Sequence, residues 1–245
     1  MPQNSELNTR YFILYISAWS FRLYVKLLPM AQNLRVVFDQ IASGWYNYRH
    51  RTIFRAELEA LAAEWQSGKL LNLGCGHGAD FIPFAQNFEL HGIDFSGEML
   101  KMARKYAAKY NFSVNLTAAD FCHLPYNNEA FDYIISVAAL HHLKKTQQAA
   151  AFEELKRVLK PGGAAFISVW NRQQPRFWFK GNETLVPWKA RDEILYRYYY
   201  LFTYGELKKS AERAGLTVIK VFPENAYRFP VKAFSRNICL LAQKN

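Results

Sequence analysis

The feature that most constrains this chain is the string Leu70-Leu71-Asn72-Leu73-Gly74-Cys75-Gly76-His77-Gly78-Ala79-Asp80. An apolar run of one strand's length ends in glycines at alternate positions, and a helix over about 79–87 is expected to follow. Glycine permits the tight turn there and lets backbone N–H groups approach a ligand that a side chain would hold off. A strand, such a turn and a helix form the first unit of a doubly wound sheet, whose ligand lies beyond the carboxyl end of the strand. Gly74, Gly76 and Ala79 also satisfy the dinucleotide fingerprint, so at this point a nicotinamide cofactor stays open.

The sequence on either side continues the alternation. A helix at 51–66 leads into strand one at 70–73; strand two ends at Asp94, and Ser96 is placed as N-cap of a helix over 97–110. Strand three is expected at 114–117 and strand four at 131–137. A helix over 147–159 stops at Lys160-Pro161-Gly162-Gly163, ahead of strand five at 164–170. Residues 171–202 carry many aromatic and arginine side chains with little period, which points to a substrate lid or insertion. A helix at 204–214 and strands at 216–222 and 236–242 follow, with no clear crossover helix between the two strands, as in an antiparallel edge hairpin. The expected fold is therefore α/β, a doubly wound, mostly parallel seven-stranded sheet in one domain over 35–245. Residues 1–34 form an apolar N-terminal extension or helix.

The chain has 245 residues, of which 51% are hydrophobic and 21% charged, enough for one sizeable core. Residues 11–30 are strongly apolar, but Arg22 and Lys26 interrupt the run before it reaches the roughly 20 residues a membrane span needs. Packing against the domain, contact with a membrane surface, or an extension with no separate function are the readings left to it. Cys75, Cys122 and Cys239 are too scattered for a disulfide framework or a zinc knuckle, so no metal site is expected and a reducing, cytoplasmic setting fits. The net charge of +11 is concentrated late, with 14 basic and 6 acidic residues over 161–245. That asymmetry suits a polyanionic partner on one side of the molecule.

Two acids sharpen the glycine turn. Asp94 ends strand two, 20 residues beyond Gly74, where a carboxylate accepts from ribose hydroxyls. Asp120, in Thr-Ala-Ala-Asp-Phe-Cys-His-Leu-Pro, is placed to accept from an adenine amino group. With these acids, the FDYIISVAALHHL strand and the LKPGG turn in order, the chain over about 35–243 resembles the class I methyltransferases. The resemblance implies S-adenosyl-L-methionine as cofactor, held by Asn72, Gly74, Cys75, Gly76, Gly78, Asp94, Phe95, Asp120, Phe121 and Val137. One departure stands out: many relatives carry an acid where this chain has Asn72.

His141 and His142 follow strand four, positioned for one imidazole to face the crevice as a base or donor, and Trp170 ends strand five. The segments FDQIASGWYNYRHR at 38–51, VPWK at 186–189 and YRYYYLFTYGEL at 196–207 narrow the resemblance to the tRNA wobble-uridine carboxymethyl methyltransferases. Thr52-Ile53-Phe54 and Tyr200 depart from that family's pattern, which bears on the substrate rather than the fold. The resemblance implies methyl transfer to a carboxylate, with Arg49 and Arg197, the latter read within an aromatic-rich helix, orienting it by charge-assisted pairing. A carboxylate is already ionised at neutral pH and demands no general base.

On this reading Tyr46, Tyr48, Trp178, Trp188 and Tyr198 to Tyr200 offer stacking surfaces to an unpaired base. Arg172, Arg176, Lys180, Lys189 and Arg191 would meet phosphates. Relatives also suggest a small zinc-binding activator protein as partner. Two other readings stay open: a methyltransferase for a small hydrophobic acceptor such as a quinone or lipid precursor, and an idle methyltransferase-like module that binds RNA or protein.

Overall fold

A computed structural model describes residues 33–190, 193–228 and 230–245. The expectations for the apolar run 11–30 and for Arg191 lie outside the described residues. Five parallel strands build most of one sheet: β1 (Gly68–Leu73), β2 (Phe88–Asp94), β3 (Asn115–Ala118), β4 (Phe131–Val137) and β5 (Leu159–Trp170). Helix α3 (Gly97–Tyr110) connects β2 to β3, and α4 (Lys145–Val158) connects β4 to β5. Helix α5 (Tyr204–Arg213) then precedes β8 (Thr217–Pro223) and β9 (Asn237–Gln243), which close the sheet antiparallel. The strand order β3-β2-β1-β4-β5-β9-β8 reverses direction between β1 and β4, which opens a crevice beyond their carboxyl ends.

Apolar layers cover both faces, as a sheet read from near-continuous hydrophobic strands requires. On one face Phe152 and Leu155 of α4 and Leu207 and Ala211 of α5 pack on Ile134, Ile167 and Leu240. The other takes Leu58, Leu61 and Trp65 of α2 (Arg55–Trp65) with Phe81, Phe84 and Phe166. The Trp65 ring stacks on Tyr133 at 4.4 Å and 7°.

Helix α1 (Leu34–Tyr48) lies against α3 and brings residues such as Phe38, Trp45 and Arg49 to the crevice. Its buried face, Val37, Ile41 and Ala42, packs with Met99 and Leu195. Burial of Val37 and Ile41 contributes about 1.5–3 kcal/mol each. Asp39, on the same helix, fixes the contact: its Oδ1 accepts from Ser96 Oγ at 2.6 Å and from Glu98 N at 3.2 Å. Ser96 Oγ in turn accepts from Met99 N, so the expected N-cap of α3 is itself anchored by α1.

Several expected elements differ. The helix at 79–87 is a short 3-10 turn, Ala79–Phe84, because Pro83 lacks the donor an α-helix would need there. Strand five begins earlier, at Leu159, with Lys160 to Gly163 absorbed as a register irregularity between Phe131 and Tyr133 of β4. Residues 171–202 are not without regular structure: β6 (Glu183–Lys189) and β7 (Ile194–Tyr200) form an antiparallel pair. Arg197 is thus on a strand and not on a helix. Alternate residues of β7, Leu195, Arg197 and Tyr199, are buried together, a period of two that the run of tyrosines concealed.

Candidate active site

The chain turns sharply at the end of β1. Gly74 N and Cys75 N both donate to Ile93 O of β2, which folds the loop back across the strand ends. Gly74 sits at φ 75°, and a Cβ there would lie 2.5 Å from the Ala139 side chain and 2.8 Å from the Phe121 ring. Gly76, at φ 52°, faces open space with nothing within 4 Å of its missing Cβ. The first glycine is therefore required by packing, and the second leaves room beside a cavity.

That cavity, of about 530 Å³, runs from the glycine turn to the β6–β7 pair. At the turn end Gly74, Cys75, Gly76, Asp94, Phe95, Phe121 and Val137 line it. Asp94 is buried; its Oδ2 accepts from Gly76 N and its Oδ1 from Ser96 N, both at 2.9 Å. Burial raises its pKa to about 6 against the pull of those amides, and the Asp39 charge adds to the rise. Each oxygen keeps a lone pair for a hydroxyl donor.

Other expected cofactor contacts are arranged differently. Asn72 is fully buried in β1, with neither its side-chain oxygen nor its nitrogen hydrogen-bonded, and it does not line this cavity. Gly78 takes the left-handed conformation that starts the 3-10 turn. Asp120 lies beyond β3, largely exposed, with Oδ1 accepting from Cys122 N at 2.6 Å. It opens on a second cavity, of about 710 Å³, that shares Phe95, Phe121 and His142 with the first. The two acids thus flank one pair of phenylalanines.

The two histidines line the same cavity. Trp170 N donates to His141 Nδ1 at 3.3 Å, leaving Nε2 of that ring as the protonated nitrogen. His142 has the opposite tautomer, Nδ1 donating to Tyr198 O at 2.9 Å. Burial keeps both neutral: the pKa of His141 is held well below the usual range, and that of His142 is pulled down to about 3. Tyr199 stacks on His141 at 4.7 Å and lies 4.2 Å from the Trp170 ring.

Cations surround this floor. Arg197 is 6% exposed, its Nε has no hydrogen-bond partner, and its guanidinium carbon lies 5.5, 5.2 and 5.5 Å from the ring centroids of Trp45, Trp188 and Tyr199. The guanidinium carbon of Arg49, at the carboxyl end of α1, lies 5.0 Å from the Trp45 ring centroid. Arg49, Arg176, Arg197 and Arg236 all line the cavity, and none forms an ion pair with a carboxylate among the described residues, although the Arg49 charge reaches Asp80 and the Arg236 charge reaches Glu224. The structure therefore brings Arg49, His141, His142 and Arg197 into the same cavity as the glycine turn and Asp94.

Sequence reasoning missed Asp39, His77, Asp80 and Arg236. His77 and Asp80 line the cavity beside Arg49; burial lowers the His77 pKa to about 4 and raises that of Asp80 to about 6, the latter partly offset by Thr52 and Arg49. Both stand within the glycine string and were legible as its neighbours. Arg236 had no signal, because only the folding of the last strand brings it near Arg176.

Comparison with known proteins fits this geometry. Residues 70–163 match the family described as methyltransferase domain. Beyond it, the chain is 33% identical over 127 residues to "Probable tRNA methyltransferase 9B" of Homo sapiens, covering 51% of this chain and 26% of that protein. It is 35% identical over 163 residues to "tRNA (carboxymethyluridine(34)-5-O)-methyltransferase" of Arabidopsis thaliana, covering 65% and 38%. The chain thus spans well under half the length of either. Among solved structures, the CcbJ methyltransferase of Streptomyces caelestis superposes with a TM-score of 0.70 at 20% identity, over 87% of this chain and 99% of that one. The seven-stranded sheet with its antiparallel closing hairpin is the class I methyltransferase fold.

Proposed function

We propose that this chain is an S-adenosylmethionine-dependent methyltransferase acting on the carboxylate of a carboxymethyl group on a tRNA wobble uridine, giving its methyl ester. The observation that carries the acceptor is Arg197, a buried guanidinium caged by aromatic rings with no carboxylate partner among the described residues. A buried cation without a counter-ion is costly unless a ligand supplies one. A neutral hydrophobic acceptor would leave that cost standing, and the relatives named for carboxymethyluridine support the anionic one.

The crevice fits the cofactor by its own residues. Asp94 is the acceptor for ribose hydroxyls, Gly76 the open approach, Phe95 and Phe121 the walls for a flat ring, and the unpartnered Asn72 amide a reserve of hydrogen-bonding capacity behind the turn. Once bound, S-adenosylmethionine supplies an electrophilic methyl group. The chain's work is then placement. Arg197 and Arg49 hold the acceptor carboxylate, the rings of Trp45, Trp188 and Tyr199 fix the forks and exclude water, and His141 and His142 stay neutral as hydrogen-bonding neighbours rather than bases. Residues 171–202 serve as the lid that carries Arg197. An activator protein that binds zinc remains part of the proposal for the assembled enzyme.

The test is transfer of labelled methyl from S-adenosylmethionine to total tRNA, with and without mild alkali, followed by nucleoside mass spectrometry. Alkali-labile label on a wobble uridine is expected. Label that enters only small molecules, in the presence of cell extract, would overturn the acceptor.

A further inference from the structure

Two segments that are distant in sequence meet beside the acceptor end of the cavity. Residues 171–182 and 225–237 together hold six basic residues, Arg172, Arg176, Lys180, Arg228, Lys232 and Arg236, and no acidic one. Side-chain amides lock them together: Asn171 Nδ2 donates to Ala233 O at 2.7 Å and Ser235 O at 2.9 Å, and Gln174 Nε2 donates to Arg236 O at 2.9 Å. Glu224, the acid that borders the second segment, accepts from the backbone N of Arg236 and of Asn237. It is engaged in holding the loop, and among these six cations the Arg236 charge acts on it.

This ledge also exposes large apolar rings. Phe179 is 100% exposed and Trp178 55%, and Trp178 packs on Phe234 with ring centroids 5.5 Å apart. Trp178 Nε1 donates to Gln173 O at 2.9 Å, so the indole is held rather than free to turn. Full exposure of a phenylalanine beside a half-exposed tryptophan keeps apolar area in water that folding would otherwise remove. Arg176 joins ledge to cavity: its guanidinium carbon lies 4.5 Å from both the Trp170 and Phe177 rings, and both Arg176 and Arg236 line the cavity.

We infer that the ledge is a binding site for single-stranded RNA, with unpaired bases stacking on Phe179 and Trp178 and the adjoining phosphodiesters meeting Arg176 and Arg236. The inference rests on the reading of tRNA as substrate. Rings that accept any base, interleaved with cations that accept any phosphate, are what a flexible strand requires. Continuity with the acceptor end places the bound strand where one of its nucleosides enters the cavity. A paired helix would present neither splayed bases nor a strand thin enough for the entrance.

The test uses the full chain and a fluorescein-labelled RNA hairpin with a single-stranded loop, against a fully paired duplex of equal length. Phe179→Ala removes a side chain that supports no packing. It is expected to weaken hairpin binding ~10-fold while leaving S-adenosylhomocysteine binding and the unfolding midpoint unchanged. Arg236→Gln is expected to lower the dependence of log affinity on log salt by about 0.7, the contribution of one single-strand phosphate contact. Unchanged hairpin affinity in both variants overturns the ledge while methyl transfer to tRNA by the wild type leaves the tRNA reading intact. A wild type that neither binds the hairpin nor methylates tRNA overturns both. Loss of binding to anionic phospholipid vesicles in Phe179→Ala, with RNA binding intact, overturns the assignment in favour of a membrane surface.

Discussion

The guanidinium of Arg197 lies 5.2 Å from the ring centroid of Trp188, one strand away on the β6–β7 pair, and among the described residues it meets the faces of rings rather than an acid. Cation–π attraction is on the order of 0.5–2 kcal/mol per ring, less than the cost of burying an unpaired cation. Arg197→Met is therefore expected to keep or raise the unfolding midpoint while lowering methyl transfer by roughly 100-fold, the scale of losing one electrostatic anchor at a reacting group. Thermal melts and single-turnover transfer measure the two effects on one preparation. A fall in midpoint alongside activity would assign Arg197 to structure.

Acid should weaken cofactor binding before it unfolds the chain. Asp94 has its pKa raised to about 6, so below that pH it becomes a neutral acid and cannot accept from two hydroxyls. Affinity for S-adenosylhomocysteine is expected to be flat above pH 7 and to fall about tenfold per unit below about pH 6. Stability follows a different sign. Asp80 and Asp94, raised from 3.8 to about 6, favour the fold at low pH and withdraw that contribution as pH rises through about 6. His77 and His142, lowered from 6.5 to about 4 and about 3, do the reverse, since the unfolded chain takes up protons that the folded rings refuse. With His141 added, the histidines outweigh the carboxylates, and the unfolding midpoint should drop as pH falls from 6.5 toward 4.

Asp39 gives a finer control on that limb. Its charge lies near Asp94 and raises the Asp94 pKa. Asp39→Asn should move the acid limb of cofactor binding to lower pH, by a few tenths of a unit for one secondary charge. Titrating both proteins by calorimetry resolves the direction. A shift to higher pH would mean that the Ser96 contact, not the charge, governs Asp94.

The two glycines separate folding from binding. In Gly74→Ala the new methyl group meets Ala139 and Phe121 at 2.5 and 2.8 Å, and a loss of about 1–3 kcal/mol in stability is expected. Gly76→Ala adds a methyl group to open space and costs about 1–2 kcal/mol through its left-handed backbone alone. Its larger effect should be on S-adenosylhomocysteine binding, where isothermal titration is expected to show at least a tenfold loss. Equal losses of binding from the two variants, after correction for folding, would remove the distinction.

The parallel half of the fold could be read from periodicity and punctuation: Asp94, Ser96 and Val137 all stand where strand ends and caps were expected. The β6–β7 pair could not, because a strand made of Tyr196, Arg197, Tyr198, Tyr199 and Tyr200 has no alternation of apolar and polar types to betray its period. Nor could local spacing reveal contacts between remote segments, such as Asp39 with Ser96 or Arg176 beside Arg236, since these depend on how whole elements dock. Within the candidate site, the glycine turn was readable because its conformation is encoded residue by residue. The cage around Arg197 was not, because its rings come from α1, β6 and β7.

Helix α1 touches both halves of the cavity. Near its start Asp39 secures the beginning of α3 next to Asp94; farther along, Trp45 and Arg49 line the cavity beside Arg197. A ligand in either chamber that holds this helix down lowers the ordering cost left for the other ligand. The two affinities are then linked, and by an equal factor in each direction. One helix thus carries groups of both regions, so a substitution that displaces it would disturb the two together.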